Sequence, residues 1–324
     1  MRTSPRFELT ALLTIAVVGC QGDRPAPDAM PASDATAAAD ATPGLVELTA
    51  VDRTFQGPDS VEAGWVTIRF TNASTMTHFA VVERMPEGYG VAEQQEQVAP
   101  IFQDGMDLLA AGKADEAMAK FGEVPEWFGQ IVFTGGPGLT APGHTSQATV
   151  HLDPGTYILE CYVKTEGIFH SYKPDSTAYG MVHQLTVTAP ASSATEPQAS
   201  TDLTLSSARG IEMSGTPVAG PQTVAVHFED QTVHENFVGH DVHLVRLADD
   251  TDTDALVSWM DWTQVGGLQT PAPAQFVGGL NELPAGMTGY MTVTLEPGRY
   301  AWIAEVPNAA EKGMLKEFTV APSS

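Results

Sequence analysis

The chain has 324 residues, with 40 Asp and Glu against 15 Lys and Arg, for a formal net charge of −25. Nucleic-acid binding rests on Lys and Arg neutralising phosphates, so this balance argues against a nucleic-acid partner. An acidic surface speeds encounter with a basic partner at low salt, and it serves equally well for solubility or for a saline habitat.

The chain opens with Arg2 and Arg6 and then the apolar run Leu9 to Cys20. A short basic region followed by a short apolar core describes an export signal over residues 1–19. The run is too short to span a bilayer, which takes roughly 20 apolar residues. Its ending, Val17-Val18-Gly19-Cys20, resembles a bacterial lipobox, and that resemblance implies cleavage before Cys20 and lipidation of its thiol. Gln21 follows, with no Asp to signal inner-membrane retention. The expected place is the periplasmic face of the outer membrane, or the cell surface, held through the N-terminal lipid. Residues 20–44, rich in Ala, Pro, Asp and Thr, bury too little apolar surface to fold and read as a disordered tether.

A second run of this composition, over residues 190–201, divides the remainder into blocks 45–189 and 202–324. The blocks are related. The segment from Phe133 to Cys161 aligns without a gap with the segment from Phe276 to Ala304, sharing Gly-Gly, Thr-Val, Pro-Gly and Tyr. Upstream, "HFAVVER" from His78 answers "HDVHLVR" from His240, and "GMVHQLTV" from Gly180 answers "GMLKEFTV" from Gly313.

Each block reads as all-β, a Greek-key sandwich of short strands bounded by Gly, Pro, Asn and Asp. Alternation puts Tyr157, Leu159 and Cys161 on one face of a strand and Ile158 and Glu160 on the other. The exception is the stretch from about residue 91 to 121. Its apolar spacing suits two short helices, broken at Pro100 and capped at Gly112, inserted as a lid on one end of the first sandwich.

If Cys20 carries lipid, Cys161 has no partner. A lone thiol in an exported chain is either inert and buried or held by a metal. The order of residues around it is similar to that of the cupredoxin family of blue copper proteins. A His follows an early strand, a Pro-Gly-Thr-Tyr strand ends in Cys, and a His and a Gly-Met pair come after. The resemblance implies tandem cupredoxin-like domains and one type 1 copper site in the first. Carried over position by position, its ligands are His78, Cys161, His170 and the axial Met181. Thiolate, two imidazoles and a weak thioether suit copper cycling between two oxidation states. Ten residues separate His170 from Met181, a longer gap than the family uses, so His183 stands as an alternative axial donor. The second block has Ala304 at the Cys161 position and lacks the set. Glu160 and Tyr162 flank Cys161 where multicopper enzymes carry His, which argues against catalysis.

The implied function is membrane-tethered electron transfer, with a basic redox protein such as a cytochrome as partner. The alternative is a copper-free cupredoxin-like binding or structural module on the envelope. The pattern Asn72-Ala73-Ser74 matches a glycosylation acceptor and is set aside for a bacterial chain.

Overall fold

The structure is a computed structural model that describes residues 44–173, 180–190 and 194–322. The export signal, Cys20 and residues 20–43 of the expected tether lie outside the described residues.

The first half contributes β1 (Leu45–Val51), β2 (Thr54–Gln56), β3 (Ser60–Glu62), β4 (Gly64–Asn72), β5 (Val81–Arg84), β6 (Val132–Phe133), β7 (Thr145–Leu152), β8 (Gly155–Glu160), β9 (Lys164–Thr165), β10 (Ile168–Phe169) and β11 (Val182–Thr188). The second contributes β12 (Thr201–Ser206), β13 (Gly210–Ser214), β14 (Gly220–Phe228), β15 (Val242–Leu247), β16 (Gln275–Leu280), β17 (Thr288–Leu295), β18 (Gly298–Ile303) and β19 (Leu315–Val320). The fold class is the all-β one expected, sandwiches with a helical insertion in the first.

The two halves share a sheet. An eight-stranded sheet runs β13-β12-β14-β17-β7-β4-β1-β2, four strands from each half, joined by antiparallel pairing of β7 with β17. Each half closes its sandwich with its own second sheet, β3-β11-β8-β5-β6 in the first and β16-β15-β18-β19 in the second. Ala148 pairs with Met291, its counterpart in the repeat, and the neighbouring pairs run outward from it symmetrically. A second crossing lies beside the first. Gly138 N donates to Gly279 O, Asn281 N to Gly136 O, and Ala141 N to Phe276 O. One hydrophobic core runs through both halves and contains Val150, Leu280 and Leu283.

The insertion differs from the expected lid at one end of the sandwich. A short helical turn (Val91–Glu93) and a π-turn (Gln94–Val98) lead into the helices Ala99–Ala110 and Ala114–Phe121. Pro100 lies in the first turn of the Ala99–Ala110 helix, where its missing N–H is no loss, so it starts that helix rather than breaking it. Gly112, just past the last turn, has φ +74, as helix ends require. Together with Trp127, the insertion covers the outer face of β8, where Met85, Val98, Trp127 and Ile158 form a separate cluster. Both faces of β8 are therefore buried. Ile158 and Glu160, on the face opposite Cys161, are 0% and 9% exposed. The insertion also reaches the second half, with Phe102 and Phe121 set edge-on to Trp262.

The close crossing generates a prediction. A Cβ on Gly138 would lie 2.6 Å from Gly279 Cα and 2.7 Å from His243 Nδ1, whereas one on Gly129 meets nothing within 4 Å. Gly138→Ala should therefore cost about 1–3 kcal/mol of stability. Gly129→Ala should change it by less than about 0.5 kcal/mol. Chemical denaturation of the two variants measures both. Equal, small effects would show that the halves can separate at this crossing.

Candidate metal centre

The site begins where β8 ends. Cys161 follows Glu160 directly, and its N–H donates to Met181 O at 3.1 Å. The eight residues up to His170 are folded locally. β9 and β10 pair as a hairpin, with Lys164 opposite Phe169 and Thr165 opposite Ile168. Its turn residues Glu166 and Gly167 both have positive φ, 53° and 79°, the primed turn that suits a two-residue hairpin. The hairpin brings His170 back beside the strand end, where its N–H donates to Val163 O.

His78 arrives just ahead of β5, the strand that pairs with β8 at its Cys161 end. It sits between β4 and β5 and exchanges backbone hydrogen bonds with Thr140, at 3.2 and 2.7 Å. The loop before it is organised by Asn72, fully buried, whose Nδ2 donates to Met76 O and Thr140 O, both at 2.7 Å. Asn72 Oδ1 in turn accepts from the Ser74 N–H and hydroxyl. The Asn-Ala-Ser pattern is thus an internal brace.

These elements bring His78, Cys161 and His170 together. One ligand atom of each lies within 4.8 Å of the other two, and all three side chains are fully buried. Cys161 Sγ is 3.5 Å from His78 Nδ1, and the two Nδ1 atoms are 3.2 Å apart. His170 Nε2 bonds the Thr165 hydroxyl at 2.8 Å, which leaves Nδ1 free to offer a lone pair. Thr165 also touches Met76 Sδ at 3.3 Å and, from the second half, the Thr270 hydroxyl at 2.8 Å. Neither Thr165 nor Thr270 stood out in the sequence, because each acts through a partner distant in the chain.

Burial decides the charge state. It pulls His78 down to about 4 and, with the repulsion of His78 added, His170 to about 2. It pushes the Cys161 thiol up to about 12. The site therefore holds two neutral imidazoles and a protonated thiol near neutral pH. Neutral imidazoles are the ligating form.

The donor set fits a soft, borderline metal ion. Two nitrogens 3.2 Å apart can both lie about 2.0–2.1 Å from one ion, the bond length imidazole makes to zinc. A thiol beside two imidazoles is the donor chemistry that selects copper or zinc over magnesium or calcium.

The two axial candidates are placed differently. Met181 is fully buried in the core, and its N–H donates to His170 O. The second half repeats the backbone arrangement, with Ala304 N donating to Met314 O at 3.0 Å, so the Gly-Met pair has a structural role in both. His183 is not brought into the group. Its Nε2 bonds Pro58 O at 2.9 Å, at the edge of the sandwich. Of the long excursion before Met181, residues 174–179 lie outside the described residues.

A second buried group, Asp241, His243 and Glu305, also draws its ligand atoms within 4.8 Å of one another. It does not offer an ion the same terms. His243 Nδ1 accepts from Leu139 N–H at 3.0 Å, so Nε2 carries the proton it donates to Asp241 at 2.7 Å. Neither ring nitrogen has a spare lone pair. Asp241 also accepts from Glu305 N–H, and Tyr162 donates to Glu305 at 3.2 Å. This is a hydrogen-bond network linking the halves.

No protein family and no curated protein matches the chain. Solved structures do. Reduced auracyanin from the photosynthetic bacterium Roseiflexus castenholzii is 22% identical over 46% of this chain and 99% of its own, with a TM-score of 0.26. Auracyanin A, a "blue" copper protein from the green thermophilic photosynthetic bacterium Chloroflexus aurantiacus, is 21% identical over 45% of this chain and 100% of its own, at 0.27. A multicopper oxidase is 13% identical over 86% of this chain and 88% of its own, at 0.20. The chemistry of the site follows from its own donors.

A thiol that is fully buried and protonated is a poor nucleophile. Without metal, Cys161 should react with a disulfide reagent only as fast as the protein unfolds. The reaction rate is measured against denaturant concentration. Fast labelling in native buffer would mean that the thiol is not enclosed as described.

Proposed function

We propose that the first half binds one copper ion of the type 1 kind through Cys161, His78 and His170, and that the protein is an electron carrier rather than a catalyst. The observation that carries this reading is the convergence of one thiol and two imidazole Nδ1 atoms, all on fully buried side chains. Copper would supply one-electron chemistry there, softened by the thiolate. The protein's own residues orient the donors. Thr165 fixes the His170 tautomer, Thr140 and Asn72 position His78, and the sandwich keeps water away. Met181 remains the proposed axial donor, in the loop that joins His170 to β11.

The proposal extends to place and partner. A lipid on Cys20 would tether the protein to the envelope, and the excess of acidic residues favours a basic redox partner such as a cytochrome.

Purified protein given Cu(II) should take up one ion per chain and develop the intense visible band of a copper–thiolate bond. Cys161→Ser should abolish the band, and His170→Ala should lose or loosen the ion. Met181→Leu should keep copper and shift the potential, because the axial bond is weak. Optical titration, metal analysis and a redox titration read these out. No uptake by protein with a reduced thiol would leave the copper-free module as the reading.

Cys20→Ser should leave the export signal uncut and release the protein from lipid anchoring. Fractionation and mass analysis of the mature N-terminus check this. A mutant processed and membrane-bound like the parent would rule out the lipoprotein reading.

A further inference from the structure

The face of β8 opposite Cys161 looks onto a cavity of about 130 Å³ between the helical insertion and the second half. A single water needs only about 10–15 Å³, so the cavity has room for a small organic molecule. Its walls are largely apolar, with Phe102 from the insertion and Phe237 and Trp262 from the second half. Its polar end gathers Glu83, Glu160 and Glu282.

Two of these carboxyls are satisfied. Glu160 accepts from Gln94 Nε2 and Glu282 from Gly239 N–H, both at 2.6 Å. Glu83 is different. It is 5% exposed, and among the described residues its carboxyl has no hydrogen-bond or ion-pair partner. Burial, and then repulsion by Glu160 and Glu282, push it well above the usual carboxylate range, so the cavity by itself favours its protonated form and an ammonium ion seated there displaces that proton to solvent. The carboxyl therefore faces the cavity without a protein partner, where a ligand of the right charge can pair with it. The buried Lys164 does not serve, because its Nζ is committed to Trp262 O and Gln264 O.

The rim adds a second sign. Phe237 is 45% exposed, and it is held at φ +66, a conformation bulky residues rarely adopt. A half-exposed aromatic fixed at the edge of a cavity is placed to meet a ligand rather than to pack a core. Aromatic faces attract cations, Trp most strongly. A metal ion would use the carboxyls and leave the aromatic wall idle. An organic cation uses both.

We propose that this cavity binds a small organic ammonium ion, with the charged nitrogen against Glu83 and the apolar body against Phe102, Phe237 and Trp262. The proposal does not rest on the copper reading, since it uses none of the copper donors.

Calorimetric titration of the purified full chain with tetramethylammonium, benzylammonium and the neutral analogue benzyl alcohol tests it. At least one of the two cations should bind with a stoichiometry of one, and benzylammonium should bind at least about tenfold more tightly than benzyl alcohol. Glu83→Gln should weaken the cation by about tenfold or more without weakening the alcohol, and Phe237→Ala should weaken the cation too. The parent should bind it equally with and without added Cu(II), which separates this outcome from any failure to take up copper. Absence of binding by both cations, equal affinity for benzylammonium and the alcohol, or full affinity in a folded Glu83→Gln protein would each overturn the proposal. If Glu83→Gln does not fold, the discrimination between charged and neutral probes by the parent decides the matter alone.

Discussion

Two edge strands, β7 and β17, meet at Ala148 and Met291, and this pairing organises the molecule. An open sheet edge is a liability, because its unpaired N–H and C=O groups invite association. Here each half uses the other to cover that edge, in the self-complementary way of a two-fold dimer, but within one chain. The consequences reach the candidate metal centre. Thr140 bridges His78 on one side and Val277 of the second half on the other. Thr270 reaches across to the hydroxyl that orients His170. The second half has no thiol of its own, yet it helps to set the geometry of the first.

Burial gives that geometry its character. The same desolvation that keeps both imidazoles neutral keeps the thiol protonated, so the pocket is electrically quiet until an ion arrives. A metal ion bound there, as proposed, would displace a proton from sulfur, and coupling of this kind would tie metal affinity to both pH and folding. The enclosure on the far side of β8 has the same origin. Because the insertion buries the second face of that strand, Glu160 and Glu83 are held inside the protein with little to neutralise them.

The local patterns were legible in the sequence. The strand runs, the repeat and the order of His78, Cys161 and His170 are all properties of short stretches, and the structure places those three residues in one cluster. What could not be read was long-range. Alternation in "QATVHLD" tells which side chains point inward but not which strand lies beside it, so the shared sheet was invisible. The same alternation marked Glu160 as facing away from Cys161. It could not show that a helical insertion would cover that face. His183 shares a face with Leu185 and Val187 in β11, but its ring turns to Pro58, a contact set by the folding of a distant loop. The Asn72-Ala73-Ser74 pattern, set aside as a glycosylation acceptor, gave no sign of the brace it forms, because a three-residue pattern carries no information about burial.

The two halves finally differ less in backbone than in what they hang on it. Cys161 and Ala304 donate equivalent hydrogen bonds, each to the Gly-Met turn of its own half, and the residues that follow them, Tyr162 and Glu305, touch each other across the interface. Phe79, beside His78, packs edge-on against Tyr162, while its counterpart Asp241 bonds the Glu305 N–H. One frame thus presents soft donors and aromatic rings, and the other presents carboxyls and an imidazole. The backbone pairing of β7 with β17 already sets the register, and the polar set adds to it. Hydrogen bonds are directional, and the Asp241–His243–Leu139 chain crosses from one half to the other, so it admits one register. The close contact at Gly138 and Gly279 removes the space for any alternative. The second half thus acts as a polar lock on its repeat, with Asp241, His243 and Glu305 in the place where the first half sets Phe79 and Tyr162.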